Sequence, residues 1–259
     1  MVDHTNTLDL SNRTALVTGV SGAIGSQIGS TFLARGARVA GTFRSREAEG
    51  QAALAAASPG QSTLLPAEID SPQSARDLWK RAEEWNALDT LVVNAAAMAS
   101  APLSGHDNDA WDRSWESLLQ INVLGAATLM REAALSFAER GYGSIIAISS
   151  WAAEQGSRIP DANAYAASKA ALRNFAQTLA RSYARDGVRV YIVAPGVVGG
   201  GMGTSGLQPA EIQATAEGLA MGQHVDPCEV AELAAFLATD RCPSLTGSTI
   251  DLNGASYIR

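Results

Sequence analysis

The feature that most constrains the fold of this chain is a regular alternation of short apolar runs with longer segments of helical composition. The apolar runs read as strands at 14–18, 37–43, 63–69, 88–93, 144–148, 188–193 and 249–252, with helical segments between them. Strands separated by helices predict a parallel sheet with crossover helices. No Pro- or Ser-rich linker, charge block or repeat interrupts the series. We therefore expect an α/β protein with a doubly wound parallel sheet of about seven strands, in a single domain, 1–259.

Composition excludes several classes of protein. The 259 residues are 46% hydrophobic with a net charge of −7, so no global basic field attracts nucleic acid. No apolar run approaches the ~18 residues of a membrane helix, and the first residues lack the basic and apolar pattern of a signal peptide. Cys228 and Cys242 read as free thiols, and His4, His106 and His224 lack metal-ligand spacing. These features predict a cytoplasmic protein without a metal site.

The segment 18–25, TGVSGAIG, follows the first predicted strand and opens a predicted helix. Glycines permit a tight turn and let the backbone approach a pyrophosphate, while the helix N-terminus offers free N–H groups. The segment therefore predicts a dinucleotide-binding turn, with a ligand-free strand-to-helix turn as the alternative. Residues 201–206 also match G-x-G-x-x-G, but they follow a Pro-Gly loop and not a strand, so we interpret them as a flexible loop.

The end of the second predicted strand carries no carboxylate. An acidic side chain there would hydrogen-bond the ribose 2′-hydroxyl of NAD and repel the 2′-phosphate of NADP. Phe43 occupies this position, and the guanidinium groups of Arg44 and Arg46, which follow it, suit a phosphate. The segment favours NADP as the cofactor, with NAD as the alternative because solvated arginines are also common at strand ends.

Tyr165 and Lys169 stand four residues apart at the start of a predicted helix, and so lie on one helix face. A nearby cation favours the ionised phenol, which predicts a tyrosine that donates and accepts protons near neutral pH. The spacing alone also occurs by chance in structural helices. It gains weight from an ordered series of motifs: the glycine turn, 94–96 (NAA), Asn122, 148–150 (ISS), the Tyr165/Lys169 pair and 195–196 (PG).

With these motifs in this order, the chain resembles the short-chain dehydrogenase/reductase family over essentially its full length. The resemblance implies a Rossmann fold, hydride transfer through a nicotinamide cofactor, and a catalytic tetrad of Asn122, Ser150, Tyr165 and Lys169. In that tetrad, Tyr165 would donate a proton to the substrate carbonyl oxygen, which Ser150 would hold. Lys169 would bind the ribose hydroxyls and lower the proton affinity of Tyr165. Asn122 would hold a water that links Lys169 to solvent.

The resemblance also implies a set of cofactor-binding residues, in which Glu68 and Ile69 would lie near the adenine. The set consists of Gly19, Ser21, Ile24, Gly25, Arg44, Glu68, Ile69, Asn94, Tyr165, Lys169, Pro195, Gly196 and Val198.

The chain departs from the family pattern at three places. Ala23 stands where the family has the middle glycine of its turn, with Gly22 one position early. Asn94 is the one asparagine where the family has two, which puts its support of the central strand in question. Gly200 aligns with a threonine that contacts the nicotinamide amide, a contact for which Thr204 is the candidate replacement.

The function that these residues favour is that of an NADPH-dependent ketone reductase with a small-molecule substrate. One alternative is an NAD-dependent secondary-alcohol dehydrogenase, since the same proton relay works in both directions. Another is a non-catalytic NADP-binding sensor, since a Rossmann fold does not by itself imply catalysis. Met98, Trp151, Met202 and Met221 suit an apolar carbonyl compound if they line the pocket, although such residues are also common core fillers.

Three segments carry further expectations. The glycines after residue 196 lower the cost of alternative backbone angles, so residues 196–226 predict a mobile flap over the substrate. The interval between Ser150 and Tyr165 is slightly long compared with the family that the chain resembles, and the insertion 158–160 within it would shape the substrate pocket. The family resemblance, the apolar helices at 111–140 and 162–186, and the tail 256–259 together predict a homo-oligomer, a tetramer or a dimer.

Overall fold

The computed structural model describes residues 8–104 and 106–258 and contains a seven-stranded sheet. Every adjacent pair of strands is parallel, in the order β3-β2-β1-β4-β5-β6-β7. The strands are β1 Thr14–Val17, β2 Arg38–Phe43, β3 Ser62–Pro66, β4 Thr90–Val93, β5 Gly143–Ile148, β6 Val188–Pro195 and β7 Thr249–Leu252. The strand order reverses between β1 and β4, which opens a crevice at the carboxyl ends of these strands. The doubly wound Rossmann fold predicted from the sequence is confirmed.

Helices cover both faces of the sheet. They are α1 Ala23–Ala34, α2 Glu47–Ala53, α3 Pro72–Trp85, α4 Asn108–Leu119, α5 Ala126–Arg140, α6 Ala152–Gln155, α7 Asn163–Tyr183, α8 Pro209–Glu217 and α9 Pro227–Ala238. Side chains alternate between the faces along β1: Val17 packs in the cluster that holds α1 and α9, whereas Leu16 packs with α3, α5 and α7. The central strands are therefore packed between two buried cores, one on each face of the sheet, and this packing fixes the positions of their carboxyl ends.

The structure differs from the predicted element bounds in three places. The segment predicted as helical at 111–140 consists of α4 and α5 joined by a π-helical turn, Gln120–Gly125. The predicted helix 46–58 ends at Ala53, before the turn that contains Gly60 in a left-handed conformation (φ +77°). Strand β3 ends at Pro66 and not at residue 69, because its partner strand β2 ends at Phe43, whose carbonyl oxygen accepts the last ladder hydrogen bond from the Ala67 N–H. Residues 67–69 are thereby released toward the crevice.

In the described residues, no helix is long and apolar enough to cross a membrane, and no group of His, Cys, Asp and Glu is arranged to hold a metal ion. Cys228 and Cys242 are exposed free thiols. His4, one of the three histidines without metal-ligand spacing, and Arg259, the last residue of the tail 256–259, lie outside the described residues.

Candidate active site

The glycine turn lies in the crevice, directly after β1. Gly19 adopts a left-handed conformation (φ +74°), and its N–H donates to the Thr42 hydroxyl at 3.0 Å. Gly22 is the N-cap of α1 and provides no side-chain cap, and the first helical turn carries no acidic residue. The N–H groups at the start of α1 are therefore left for an external anion.

Gly25 brings α1 into direct contact with this turn. A Cβ atom at residue 25 would lie 2.1 Å from the Gly19 carbonyl oxygen and 2.7 Å from Asn94 Nδ2. A Cβ at Gly22, by contrast, would lie 3.5 Å from the same oxygen, in ordinary contact. The requirement for glycine is therefore strict at residue 25 and weak at residue 22. Gly25 contributes to the site by allowing α1 to pack closely against the glycine turn.

Asn94 and Thr18 join the turn to the end of β4. The Asn94 side-chain amide donates to the Thr18 carbonyl oxygen at 2.9 Å. The Thr18 hydroxyl accepts from the backbone N–H groups of Asn94 and Ala95, each at 2.9 Å. A single asparagine thus supports the central strands, because a threonine hydroxyl supplies the other contacts. The sequence analysis assigned no role to Thr18, although it begins the segment 18–25, or to Thr42, which lies outside that segment.

The first cavity, of about 230 Å³, extends from the glycine turn past the end of β2. Its walls include seven of the predicted cofactor-binding residues: Gly19, Ser21, Ile24, Arg44, Glu68, Ile69 and Asn94. Phe43, Ser45 and Arg46 line it as well. Gly196 lines neither this cavity nor the second one; a Cβ there would approach Asn253 Cα to 3.1 Å, so it permits close packing beside β7.

Helix α7 carries Tyr165 and Lys169 on one face, as their spacing predicts. The Lys169 ammonium lies 5.8 Å from the Tyr165 ring centroid and donates to the Ile148 carbonyl oxygen at 2.8 Å. The Ser149 hydroxyl donates to the Lys169 carbonyl oxygen at 3.1 Å. These two bonds fix α7 against the end of β5, which also presents Ser150.

Asn122 lies in the π-helical turn and is 1% exposed. Its Oδ1 accepts from the Ala97 N–H at 2.8 Å, and its Nδ2 donates to the Ala97 carbonyl oxygen at 2.9 Å and to the Ser168 hydroxyl at 3.0 Å. Ser168 in turn donates to the Tyr165 carbonyl oxygen at 2.7 Å. Asn122 therefore connects the segment after β4 to the first turns of α7. Ser168 was missed, although its position directly before Lys169 offered a signal.

Burial dominates the electrostatics of this pair. It raises the pKa of Tyr165 to about 12, with a partial opposing effect from the hydrogen bond with Ser150. Burial likewise lowers the pKa of Lys169 to about 8. The sequence predicted that a neighbouring cation lowers the Tyr165 pKa, but the pKa is raised instead. Desolvation is the dominant cause, and the Lys169 ammonium is bonded to the Ile148 carbonyl oxygen. At neutral pH the phenol is therefore a proton donor.

The second cavity, of about 360 Å³, adjoins the first and shares Ile24 and Asn94 with it. It is lined by the five remaining predicted residues that face a cavity: Ser150, Tyr165, Lys169, Pro195 and Val198. Three of the candidate substrate contacts, Met98, Trp151 and Met202, lie in its walls, and so do Arg158 and Ile159 of the insertion. Met221 does not line it, and instead lies 60% exposed beside Gly254.

The segment 196–226 leaves the sheet after β6 and returns beside its own start. Val225 N–H donates to the Val197 carbonyl oxygen at 2.9 Å, and Gly199 N–H donates to the Val225 carbonyl oxygen at 3.0 Å. Between these closed ends, α8 and the turn after it place Ala214 and Leu219 in the wall of the second cavity. The segment therefore covers the cavity as one loop with a narrow base.

The glycine-rich stretch 201–206 within this segment forms a short 3-10 turn, Met202–Thr204, with no strand leading into it. This is not the geometry of a dinucleotide-binding turn, as expected. The Thr204 hydroxyl donates to the Gly201 carbonyl oxygen at 3.2 Å, and Thr204 lines neither cavity. Thr204 therefore does not replace the threonine that the family has at the position of Gly200.

Comparison with known proteins agrees with this geometry. A family model described as enoyl-(acyl carrier protein) reductase matches residues 19–254. The 3-oxoacyl-[acyl-carrier-protein] reductase FabG of Escherichia coli K12 is 31% identical over 97% of this chain and 100% of its own length. The cis-4-hydroxycyclohexanecarboxylate dehydrogenase of Sinomonas cyclohexanicum is 31% identical over 93% of this chain and 95% of its own length.

A solved structure has the same fold. The crystal structure of a 3-oxoacyl (acyl-carrier-protein) reductase from Agrobacterium tumefaciens C58 with NADP bound superposes with a TM-score of 0.84 and 29% identity, covering 98% of this chain and 97% of that one. This chain therefore belongs to the short-chain dehydrogenase/reductase family, as the resemblance predicted. It is an oxidoreductase that acts on CH–OH and C=O groups with a nicotinamide cofactor.

Proposed function

We propose that the protein is an NADPH-dependent ketone reductase. The observation that carries this proposal is the junction of the two cavities. The first begins at a glycine turn suited to a pyrophosphate, and the second holds Ser150, Tyr165 and Lys169 together at its inner end. Ile24 and Asn94 belong to both walls, so a dinucleotide laid along the first cavity has its reactive end beside Tyr165.

The residues at the far end of the first cavity fit NADP. Arg44, Ser45 and Arg46 line it after β2, and no carboxylate stands at the end of that strand. Glu68, the one acidic residue in this wall, follows β3 instead and is exposed. Guanidinium groups bind phosphate through paired, charge-assisted hydrogen bonds. The reductase relatives are consistent with this choice, and the solved relative from Agrobacterium tumefaciens holds NADP.

When bound in the first cavity, a nicotinamide cofactor would supply the hydride for the carbonyl carbon. Tyr165 donates its phenolic proton to the carbonyl oxygen, for which its raised pKa keeps it protonated. The Ser150 hydroxyl holds that oxygen by a second hydrogen bond. The Lys169 ammonium would hold the ribose hydroxyls of the cofactor and stabilise the tyrosinate that remains. Asn122 positions the first turns of α7 through Ser168.

The NAD-dependent secondary-alcohol dehydrogenase is the second candidate, because the relative from Sinomonas cyclohexanicum is named as a dehydrogenase. The same residues serve both directions, since the tyrosinate that accepts a proton in oxidation is the product of the reduction step. Kinetic constants for NADPH and NADH, measured with a panel of ketones and secondary alcohols, separate the two candidates.

The experiment that tests the proposed function is Tyr165→Phe, with Tyr183→Phe as its control on the same helix. We expect the first variant to bind NADPH normally and to lose at least about a hundredfold in turnover. A general acid–base group contributes about 10²–10⁴-fold to the reaction rate. The control keeps Tyr165 and removes only the hydroxyl group of Tyr183, at the far end of α7, so it should keep full activity. Near wild-type turnover in Tyr165→Phe would refute the assigned role.

The assembly and location of the protein belong to the same proposal. The exposed apolar side chains Leu119 and Leu124, at the junction of α4 and α5, support a homo-oligomer built on these helices, a tetramer or a dimer. Light scattering that gives a 26.9 kDa monomer at micromolar concentration would contradict it. The exposed thiols of Cys228 and Cys242 are consistent with a reducing, cytoplasmic location.

A further inference from the structure

The charge of the second cavity is one-sided. Its walls contain two charged side chains, Lys169 and Arg158, and no carboxylate among the described residues that line it. Lys169 lies at the inner end, where its ammonium is bonded to the Ile148 carbonyl oxygen. Arg158 is exposed and lies on the insertion between α6 and α7, so it brings a second positive charge to the outer side of the cavity.

Two contacts hold the Arg158 side chain in place. Its guanidinium carbon lies 5.0 Å from the centre of the Trp151 ring, a cation–π contact, and its Nη2 donates to the Ser256 carbonyl oxygen at 3.2 Å. It forms no ion pair with a carboxylate in the part of the chain that the structure describes. The two nearest acidic residues along the chain have other partners: the Asp161 carboxylate accepts from the Ser100 hydroxyl at 3.4 Å, and Glu154 is paired with Arg173. The guanidinium is therefore oriented while donors remain available.

Most of the remaining lining is apolar, and its other polar side chains, among them Asn94, Ser157 and Thr215, are uncharged. Met98, Ile159 and Val197 line it together with Trp151, and its volume of about 360 Å³ suits a small cyclic or short branched molecule, near the lower limit of ligand pockets. A carbonyl group must approach Tyr165 and Ser150 at the inner end. Any charged group on such a molecule then points to the outer side, toward Arg158.

On this basis we propose that the substrate is a compact apolar ketone that carries a carboxylate on the side opposite its carbonyl group, and that Arg158 binds this carboxylate. A planar guanidinium pairs with a carboxylate through two parallel hydrogen bonds, which fixes orientation as well as affinity. This inference rests on the proposed ketone reductase activity. It adds the residue that selects an anionic substrate over a neutral one.

The test compares 4-oxocyclohexanecarboxylate with its methyl ester, using NADPH. We expect kcat/KM of the wild type to favour the acid by at least tenfold, the lower range for a hydrogen-bonded charge pair. Arg158→Gln should bring the acid-to-ester ratio of kcat/KM to about one, and Arg158→Lys should keep part of the preference. Arg181→Gln is the charge-matched control, because it lies on α7 about 24 Å along the helix from Tyr165.

A binding measurement separates this inference from the proposed function. Cyclohexanecarboxylate, which has no carbonyl group to reduce, should bind the NADP complex of the wild type by calorimetry and bind Arg158→Gln at least tenfold more weakly. Equal binding to both proteins, or equal kcat/KM for acid and ester in the wild type, overturns the role of Arg158 and leaves ketone reduction untouched. Wild-type turnover in Tyr165→Phe overturns the proposed mechanism, while calorimetry still reports on Arg158.

Discussion

The glycine turn permits a sharp test with two substitutions that differ in one distance. A Cβ atom at residue 25 would lie 2.1 Å from the Gly19 carbonyl oxygen, and one at residue 22 would lie 3.5 Å from it. Ordinary contact begins near 3.4 Å, so Gly25→Ala is about 1.3 Å too close, whereas Gly22→Ala fits. The Gly19 oxygen belongs to the backbone, and the backbone also fixes the position of a Cβ atom, so no side-chain rotation relieves the contact.

The expected magnitudes follow from this overlap. Overpacking costs about 1–3 kcal/mol, and a rigid backbone contact belongs at the upper end. The higher helix propensity of alanine offsets about 1 kcal/mol. We therefore expect Gly25→Ala to lose about 2 kcal/mol of unfolding free energy, which lowers Tm by roughly 4–8 °C in a chain of this length. Gly22→Ala loses an N-cap glycine and should cost under about 1 kcal/mol.

Cofactor binding should separate the two variants further. Relieving the overlap moves the turn away from α1 by about an ångström, and misplacements of that size cost up to a hundredfold where geometry matters. We expect NADPH to bind Gly25→Ala at least tenfold more weakly, and Gly22→Ala within a few-fold of the wild type. Calorimetric melting and fluorescence titration with NADPH measure both quantities. Equal effects in the two variants would refute the steric argument.

Three further predictions concern the cofactor, the lysine and the flap. Phe43→Asp should reverse a preference for NADPH and Arg44→Ala should weaken NADPH about tenfold more than NADH; equal effects on both cofactors would make Arg44 a solvated charge. Burial lowers the pKa of Lys169 to about 8, so its ammonium is present below pH 8 and lost above it. The kcat/KM for reduction should therefore fall as pH rises through 8. Lys169→Arg should shift this decrease in kcat/KM to higher pH, and a decrease at the same pH in the variant would mean that another group causes it. Hydrogen exchange in residues 196–226 should slow when cofactor and substrate bind, and slow exchange without them would contradict a flap.

Much of this molecule could be predicted because its signals are local. The glycine turn, the spacing of Tyr165 and Lys169 and the order of strands each depend on residues close in the chain, where helix and strand periodicities apply. The family resemblance, through the long interval between Ser150 and Tyr165, pointed to Arg158 as a residue that shapes the pocket. It could not place the guanidinium over Trp151 or bond it to Ser256, because that partner is 98 residues away and is brought there by β7.

The supporting contacts escaped prediction for the same reason. Thr18 accepts hydrogen bonds from residues 76 and 77 positions later, and Asn122 reaches Ser168 across 46 positions. No periodicity within one element reports such pairs. The predicted direction of the Tyr165 pKa shift was wrong for a different reason. The spacing correctly places a cation near the ring, but the sequence does not show how far the protein buries the phenol and the ammonium, and burial decides the sign of the shift.

The arrangement of the two cavities also indicates that cofactor and substrate do not bind independently. Gly201 and Met202 belong to both walls, and they lie on the segment 196–226 that is closed at its base by the Val197–Val225 hydrogen bond. A ligand in the first cavity therefore restricts the part of the segment that also bounds the second. Since a segment ordered by one ligand need not be ordered again by the next, we expect each to tighten the binding of the other by the same factor.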